Sequence, residues 1–185
     1  MIFATAERLI LRRPRKTDLE PLLPGWSDPD MVRFTDRRDD PRAFVASFIA
    51  DMRSKSPGES EPGGPWFQFV IERREDEAVL GDLGVGFGIP GERQVELGWR
   101  ILPQFQRRGY AREAVAALIP WLIEANRIHR FVAVAAADNR ASTALLRSLG
   151  FRQEGRFRES FLCDGRWLDD CYFALLAREW AGGDG

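Results

Sequence analysis

The segment ELGWRILPQFQRRGYA, Glu96 to Ala111, joins a strand to a helix and decides how the chain is read. The strand ends at Leu102 and Pro103. A loop, Gln106-Arg107-Arg108-Gly109-Tyr110-Ala111, then runs directly into a helix. That helix is marked by Ala111, Ala114, Val115, Leu118, Ile119, Leu122 and Ile123 at i, i+3, i+4, i+7, i+8, i+11 and i+12. Pro120 lies inside it and is expected to kink it or loosen one turn. A helix start offers unpaired backbone N–H groups and a partial positive charge. Gly109 and the small Ala111 leave room for a ligand against that backbone, and Arg107 and Arg108 add charge. Together they fit a pyrophosphate cradle. The same spacing also fits an ordinary strand-to-helix turn with two solvated arginines.

Working outward, residues 2–13 read as one strand, with Leu9 and Leu11 alternating against Arg8, Ile10 and Arg12 until Pro14. Thr17 or Asp18 is suited to cap a short helix through Leu23, closed by Pro24-Gly25. Asp28-Pro29 opens another near residues 31–34. Asp40-Pro41 starts a clearer helix carrying Phe44, Val45, Phe48, Ile49 and Met52. Residues 54–65 read as a loop. Residues 66–72, 78–87 and 94–102 read as strands, with the charge run 72–77 as a solvated hairpin end. The apolar run 131–136 suggests a strand covered on both faces. Asp138-Asn139 caps a helix bearing Ala141, Ala144, Leu145 and Leu149, which Gly150 stops. A hairpin over residues 151–162 and 166–176 turns at Asp164-Gly165. This order implies a mixed α/β three-layer fold on a single domain, residues 1–185.

Composition narrows the function. The chain has 185 residues, a net charge of −1 and a sequence pI near 6.0, so nothing draws it to nucleic acid or an anionic membrane. No apolar run reaches membrane-spanning length and the N-terminus lacks a signal pattern, so a soluble cytoplasmic protein is expected. Cys163 and Cys171 form no C-x-x-C. The Asp164-Gly165 turn would set Cys171 opposite about Arg158, so both are read as thiols of a reducing compartment. His129, the sole histidine, reads as structural or surface. This removes most Ser-His and Cys-His schemes and argues against a metal site. Neither lysine, Lys16 or Lys55, has surroundings for Schiff-base chemistry. Gly86-Phe87-Gly88-Ile89-Pro90-Gly91 spells G-x-G-x-x-G, but a strand rather than a helix follows it. It reads as a hairpin connection and not a dinucleotide site.

The loop 106–111 resembles the Q/R-x-x-G-x-G/A coenzyme A motif of the GNAT N-acetyltransferase superfamily. Four further stretches resemble the RimJ/RimL-like branch: Thr5 to Arg12, Leu80-Gly81-Asp82-Leu83-Gly84 with Glu96-Leu97-Gly98-Trp99, Asp138 to Ser142 with Leu149-Gly150-Phe151, and Gly165 to Asp170. The resemblance implies a central twisted, splayed, mostly antiparallel sheet flanked by helices. It implies acetyl-coenzyme A as acyl donor, lying between the strand 96–102 and the strand 131–136, with no metal. Pantetheine would bond to the backbone near Ile101 and Leu102, and the phosphates would lie on Gln106, Arg107, Arg108, Gly109, Tyr110 and Ala111. Asn139 would be both helix cap and pantetheine contact. Two features depart from the common pattern. Ala111 replaces the last motif glycine, and no tyrosine stands in the late helix. Ser142, three residues after Asn139, holds the position that the RimL-like branch gives to serine.

The chemistry requires a neutral amine. At pH 7 a lysine-like amine is neutral in roughly one molecule in 2,500, a cost near 4.6 kcal/mol, whereas an α-amine costs only about 1–1.4 kcal/mol. Glu96, on the strand face opposite Val95, Leu97 and Trp99, is the leading base; Asp82, with Gly81 and Gly84 near it, is the second. Both also fit plain roles as a solvated carboxylate or salt-bridge partner. Ser142 is suited to assist the leaving thiolate, or alternatively to start its helix. Trp26, Trp66, Phe67 and Trp167 are suited to line an acceptor pocket, or to serve as ordinary core and edge aromatics. Asp82 with Asp169-Asp170 would attract a cationic acceptor. The acceptor is expected to be a peptide N-terminal α-amine or a small-molecule amine. The rival is a catalytically idle acyl-coenzyme A sensor. The closing hairpin offers an edge for a homodimer.

Overall fold

The computed structural model describes residues 1–35, 37–58, 66–88 and 92–180. Strands β1 (Ile2–Thr5), β2 (Leu9–Arg12), β3 (Phe67–Arg73), β4 (Val79–Phe87), β5 (Gln94–Ile101), β6 (Arg130–Ala136), β7 (Arg152–Cys163) and β8 (Arg166–Leu176) form one sheet. Their order is β1-β2-β3-β4-β5-β6-β8-β7. Every neighbouring pair is antiparallel except β5 and β6, which the crossover helix α4 (Tyr110–Asn126) joins in parallel. That parallel pairing holds only at Gln94/Arg130, Val95/Phe131 and Glu96/Val132. β5 then continues to Ile101 and β6 to Ala136 as separate strands, so the sheet splays open after Glu96.

Two apolar clusters cover the two sheet faces. Phe67, Phe69, Ile71, Leu83, Val85, Val95, Leu97 and Phe131 pack against Ala114, Val115, Leu118 and Leu122 of α4, with Leu146 of α5 (Arg140–Ser148) beside them. On the opposite face, Val70 packs under Leu22 and Trp26 of α1 (Leu19–Ser27) and Val45, Phe48 and Ile49 of α3 (Pro41–Ser54). This is the three-layer arrangement, and α4 runs unbroken through Pro120, which faces solvent.

Several expectations need correction. Residues 2–13 are two strands. Ala6 N–H donates to Leu9 O and the chain reverses there, a turn without Gly or Pro that alternation cannot detect. Asp18 does not cap α1 with its side chain: its carboxylate accepts from Arg12 at 2.7 and 2.8 Å and from the Arg15 N–H. α1 continues through Pro24-Gly25 to Ser27, since Leu22 and Trp26 must lie on one buried face. Asp28 then caps α2 (Pro29–Val32), which begins and ends earlier than the spacing suggested. Glu72 is not a solvated hairpin end. It is a buried β3 residue paired with the buried Arg12, 60 positions away. β6 is not packed on both faces: Phe131, Ala133 and Ala135 are buried, while Val132 and Val134 are only half-buried toward the opened side.

In the closing hairpin the register slips between Phe157 and Phe161, so Cys171 faces Arg156 rather than Arg158. Glu159 sits in this bulge with φ +48°, and its N–H donates to Asp169. Most of the loop expected over residues 54–65, and residues 89–91 of the glycine-rich connection, lie outside the described residues. The connection does lead from β4 into the antiparallel strand β5. Among the described residues no helix is long and apolar enough to cross a membrane.

Candidate active site

The α1/α3 face of the sheet carries a cleft of about 540 Å³ at the point where β5 and β6 part. Strand register determines its floor. Glu96, Gly98 and Arg100 of β5 lie opposite Gly86, Gly84 and Asp82 of β4, and so share one face. Trp66 lies across the three glycines. A Cβ added to Gly84, Gly86 or Gly98 would come within 2.9, 2.8 or 3.0 Å of its ring. The glycines are therefore a seat for the indole, which holds it flat beside Glu96.

Glu96 is half-buried and lines the cleft, and no protein group bonds to its carboxylate among the described residues. Burial raises its pKa above the ordinary carboxylate value. Asn139 and Ser142 line the same cleft from the start of α5. Asn139 is the helix cap, its Oδ1 accepting from the Ser142 N–H at 3.2 Å. The α5 cap bond uses the Ser142 N–H and not its hydroxyl, and the residue lines the cleft.

Asp82 takes a different position. It is 1% exposed and lies beneath the cleft, accepting from Trp26 Nε1 at 3.0 Å and sitting 3.7 Å from Arg100 Nη1. Burial raises its pKa, against the opposing pull of Arg100 and Trp26. Its contacts are those of a support for Trp26 and Arg100. Phe67 belongs to the α4-side core, and Trp167 is exposed on the closing hairpin. Asp169 is engaged by Arg156 and the Glu159 N–H, and Asp170 by Ser160, away from this cleft. Trp26 and Trp66 are the two anticipated aromatics that reach it.

The cradle is built from backbone. Leu102 N–H donates to Leu80 O at 2.9 Å, so the facing pair Gly81/Ile101 exchanges no hydrogen bonds. By alternation Trp99 and Ile101 turn their N–H and C=O groups away from β4 and toward the gap. Gln106 Nε2 donates to Ile101 O at 2.9 Å, tying the loop to the strand end. Arg107 and Gly109 adopt positive φ, +59° and +80°, and no side chain caps the start of α4. These bare N–H groups and the open gap-side edge of β5 fit a ligand that combines phosphates with an amide-bearing arm. Tyr110 is buried, its ring stacked under Arg8 at 4.6 Å. Arg8 also holds Glu113 in the first turn of α4 and donates to Arg108 O at 3.1 Å.

Sequence reasoning missed one wall. Phe44, Ser47, Phe48 and Asp51 fall at i, i+3, i+4 and i+7 on α3 and line the cleft together. Phe44 and Phe48 pass as core residues; the polar Ser47 and Asp51 on the same stripe are the signal that it borders an opening. Gln68, Arg38 and Arg100 line the cleft as well. Arg100 was detectable only as a charged residue on the Glu96 face of its strand.

The family model described as an acetyltransferase (GNAT) domain matches residues 8–152. The uncharacterized N-acetyltransferase YnaD of Bacillus subtilis is 28% identical over 180 residues, covering 95% of this chain and 98% of that protein. The [ribosomal protein uS5]-alanine N-acetyltransferase of Escherichia coli is 36% identical over 121 residues, covering 65% of this chain and 62% of that protein. The crystal structure of a GNAT-family acetyltransferase from Bacillus anthracis superposes with a TM-score of 0.80 at 26% identity, covering 97% of this chain and 100% of the other. The splayed sheet, the bare helix start beside it and these matches agree, and the chain belongs to the GNAT acetyltransferase family.

Proposed function

We propose that this chain acetylates an amine, with acetyl-coenzyme A as donor and Glu96 as the base that makes the amine neutral. One observation carries the reading: a half-buried carboxylate that no group among the described residues bonds lines the same cleft as Asn139 and Ser142, where the two parallel strands separate. The donor supplies an acetyl thioester. The backbone N–H groups at Gly109, Tyr110 and Ala111 hold its phosphates, with Arg107 and Arg108 adding charge. The gap-side edge at Trp99 and Ile101 orients its amide-bearing arm, and Asn139 contacts it at the rim. Glu96 takes the proton from the ammonium form, directly or through water, so that the lone pair can attack the thioester carbonyl. The Ser142 hydroxyl donates to the departing sulfur.

The acceptor is a peptide α-amine or a small amine. The likeness to an enzyme that modifies an alanine of ribosomal protein uS5 supports the peptide. A cytoplasmic setting and self-association through edge strand β7 belong to the same proposal; Phe157 and Leu162 of β7 are exposed, as is Trp167 at the start of β8. Sedimentation at increasing concentration tests the second point, and a concentration-independent monomer removes it. The central test is thiol release from acetyl-coenzyme A with a panel of N-terminal peptides, polyamines and aminoglycosides. Release that depends on acceptor, and falls about 10²-fold or more in Glu96→Gln with donor affinity nearly intact, is expected. Donor binding with no acceptor-dependent release would identify an acyl-coenzyme A sensor instead.

A further inference from the structure

The cleft is electrically polarised along its length. At one end Arg100 stacks on Trp26, 3.4 Å from the ring centroid, and Arg38 stacks on Phe44, 4.4 Å from its ring centroid. Trp26 and Phe44 touch at 4.7 Å between centroids, so the two guanidinium groups share one aromatic corner. At the other end stand Glu96, beside the Trp66 seat, and Asp51, whose neighbour Met52 contacts the Gln68 backbone N–H. Two independent elements run between the ends. On β5, Arg100 and Glu96 are four residues apart on one face, roughly 13 Å of strand. On α3, Phe44 and Asp51 are seven residues apart, roughly 10 Å of helix. Both run from the basic end to the acidic end.

Arg100 is also incompletely satisfied. Its side chain is only 17% exposed, yet among the described residues it makes no hydrogen bond, and its buried Nε finds no acceptor there. Asp82 balances part of its charge from 3.7 Å, too far to accept a hydrogen bond. A guanidinium has five N–H donors, and leaving them unpaired in a buried site is costly. Arg38 adds a second positive charge from the same side, opposing that of Arg100. Gln68, level with Gly98 midway between Glu96 and Arg100, adds a buried Oε1 that has no partner among the described residues.

We infer that the acceptor is a zwitterionic amine, its ammonium at Glu96 and Asp51 and a carboxylate several bonds away on Arg100 and Arg38. The inference rests on the acetyltransfer reading for the amine's fate but not for its binding. Arg100 sets specificity, since its planar donor pair matches a carboxylate. Trp26 and Trp66 pack the intervening chain.

The test compares isosteric ligands on the wild-type protein. Calorimetry is run with 6-aminohexanoate against 6-aminohexanamide, and with an Ala-Glu dipeptide amide against Ala-Gln amide. Each acid is expected to bind at least tenfold tighter than its amide, with the difference shrinking as salt is added. Whichever pair shows the larger difference identifies the source as small molecule or peptide. Arg100→Lys and Arg38→Gln should each narrow the gap, the second without disturbing the core. Equal binding of acid and amide in both pairs, or no binding of either, overturns the subsite. Thiol release is then measured with the same ligands, and kcat/KM should favour the acids by the same factor. Acids that bind preferentially but never release thiol would leave the subsite standing and sink the acetyltransfer reading.

Discussion

At the scale of single residues, the cleft asks Glu96 to be both costly and useful. Burial raises its pKa, so the folded protein holds that proton more tightly than the unfolded chain. The stability linked to this group is present in full below the unfolded value near 4.5 and is lost as pH rises through the raised folded value. Glu96→Gln removes that loss. The variant should therefore melt no lower than wild type at pH 5 and higher at pH 7 to 8, while losing turnover; scanning calorimetry at the two pH values measures it. In the wild type, activity should rise with pH through the same raised value, and this acidic limb should vanish in the glutamine variant. Ser142 and Asn139 separate chemistry from capping. Asn139→Ala removes the cap of α5 and should cost about 1 kcal/mol in denaturant unfolding. Ser142→Ala should leave stability unchanged and lower turnover about 10- to 100-fold. A Ser142→Ala variant with normal turnover would release the hydroxyl from the proposed role.

At the scale of elements, the cradle depends on what braces it. Glu113 places a carboxylate in the first turn of α4, where anionic phosphates are proposed to bind, and Arg8 pairs with it from the loop between β1 and β2. Arg8→Ala should leave Glu113 uncompensated and weaken acetyl-coenzyme A binding about two- to fivefold by calorimetry, less at high salt. Gly109→Glu should do more. The left-handed φ of +80° is strained for any side chain, and the new carboxylate stands at the helix start. Affinity should fall at least tenfold, about 1.4 kcal/mol, and unchanged affinity in a folded variant would remove the phosphates from this loop. The helix itself was readable from seven apolar positions. The arginine that braces it was not, because nothing local links residue 8 to residue 113.

At the scale of the whole molecule, one buried ionic group joins the first hairpin to the central sheet. Arg12 of β2 bonds to Asp18 ahead of α1 and to Glu72 of β3, and all three are buried. Arg12→Ala would leave the buried Asp18 with the Arg15 N–H and the buried Glu72 with the half-exposed Arg15 guanidinium as their remaining partners, and should cost about 3 kcal/mol in urea unfolding. A loss below about 1 kcal/mol would show that the carboxylates simply protonate or hydrate. By itself the sequence determined the order of strands and helices from α1 onward, the apolar faces of α3 and α4, the loop 106–111 at a helix start, and the family resemblance. Those properties are carried by residues close together in the chain, where periodicity and turn chemistry act. The tertiary structure decided that Glu72 is an internal partner of Arg12, that Asp82 lies under Arg100 and Trp26, and that Trp66 rests on three glycines. The resemblance implied that β5 and β6 part; the tertiary structure decided that they do so after Glu96, and that the cleft there has opposite charges at its ends. Sheet register and the crossing of α3 over the strands set these pairings, and both are fixed only when the two cores close on the sheet together.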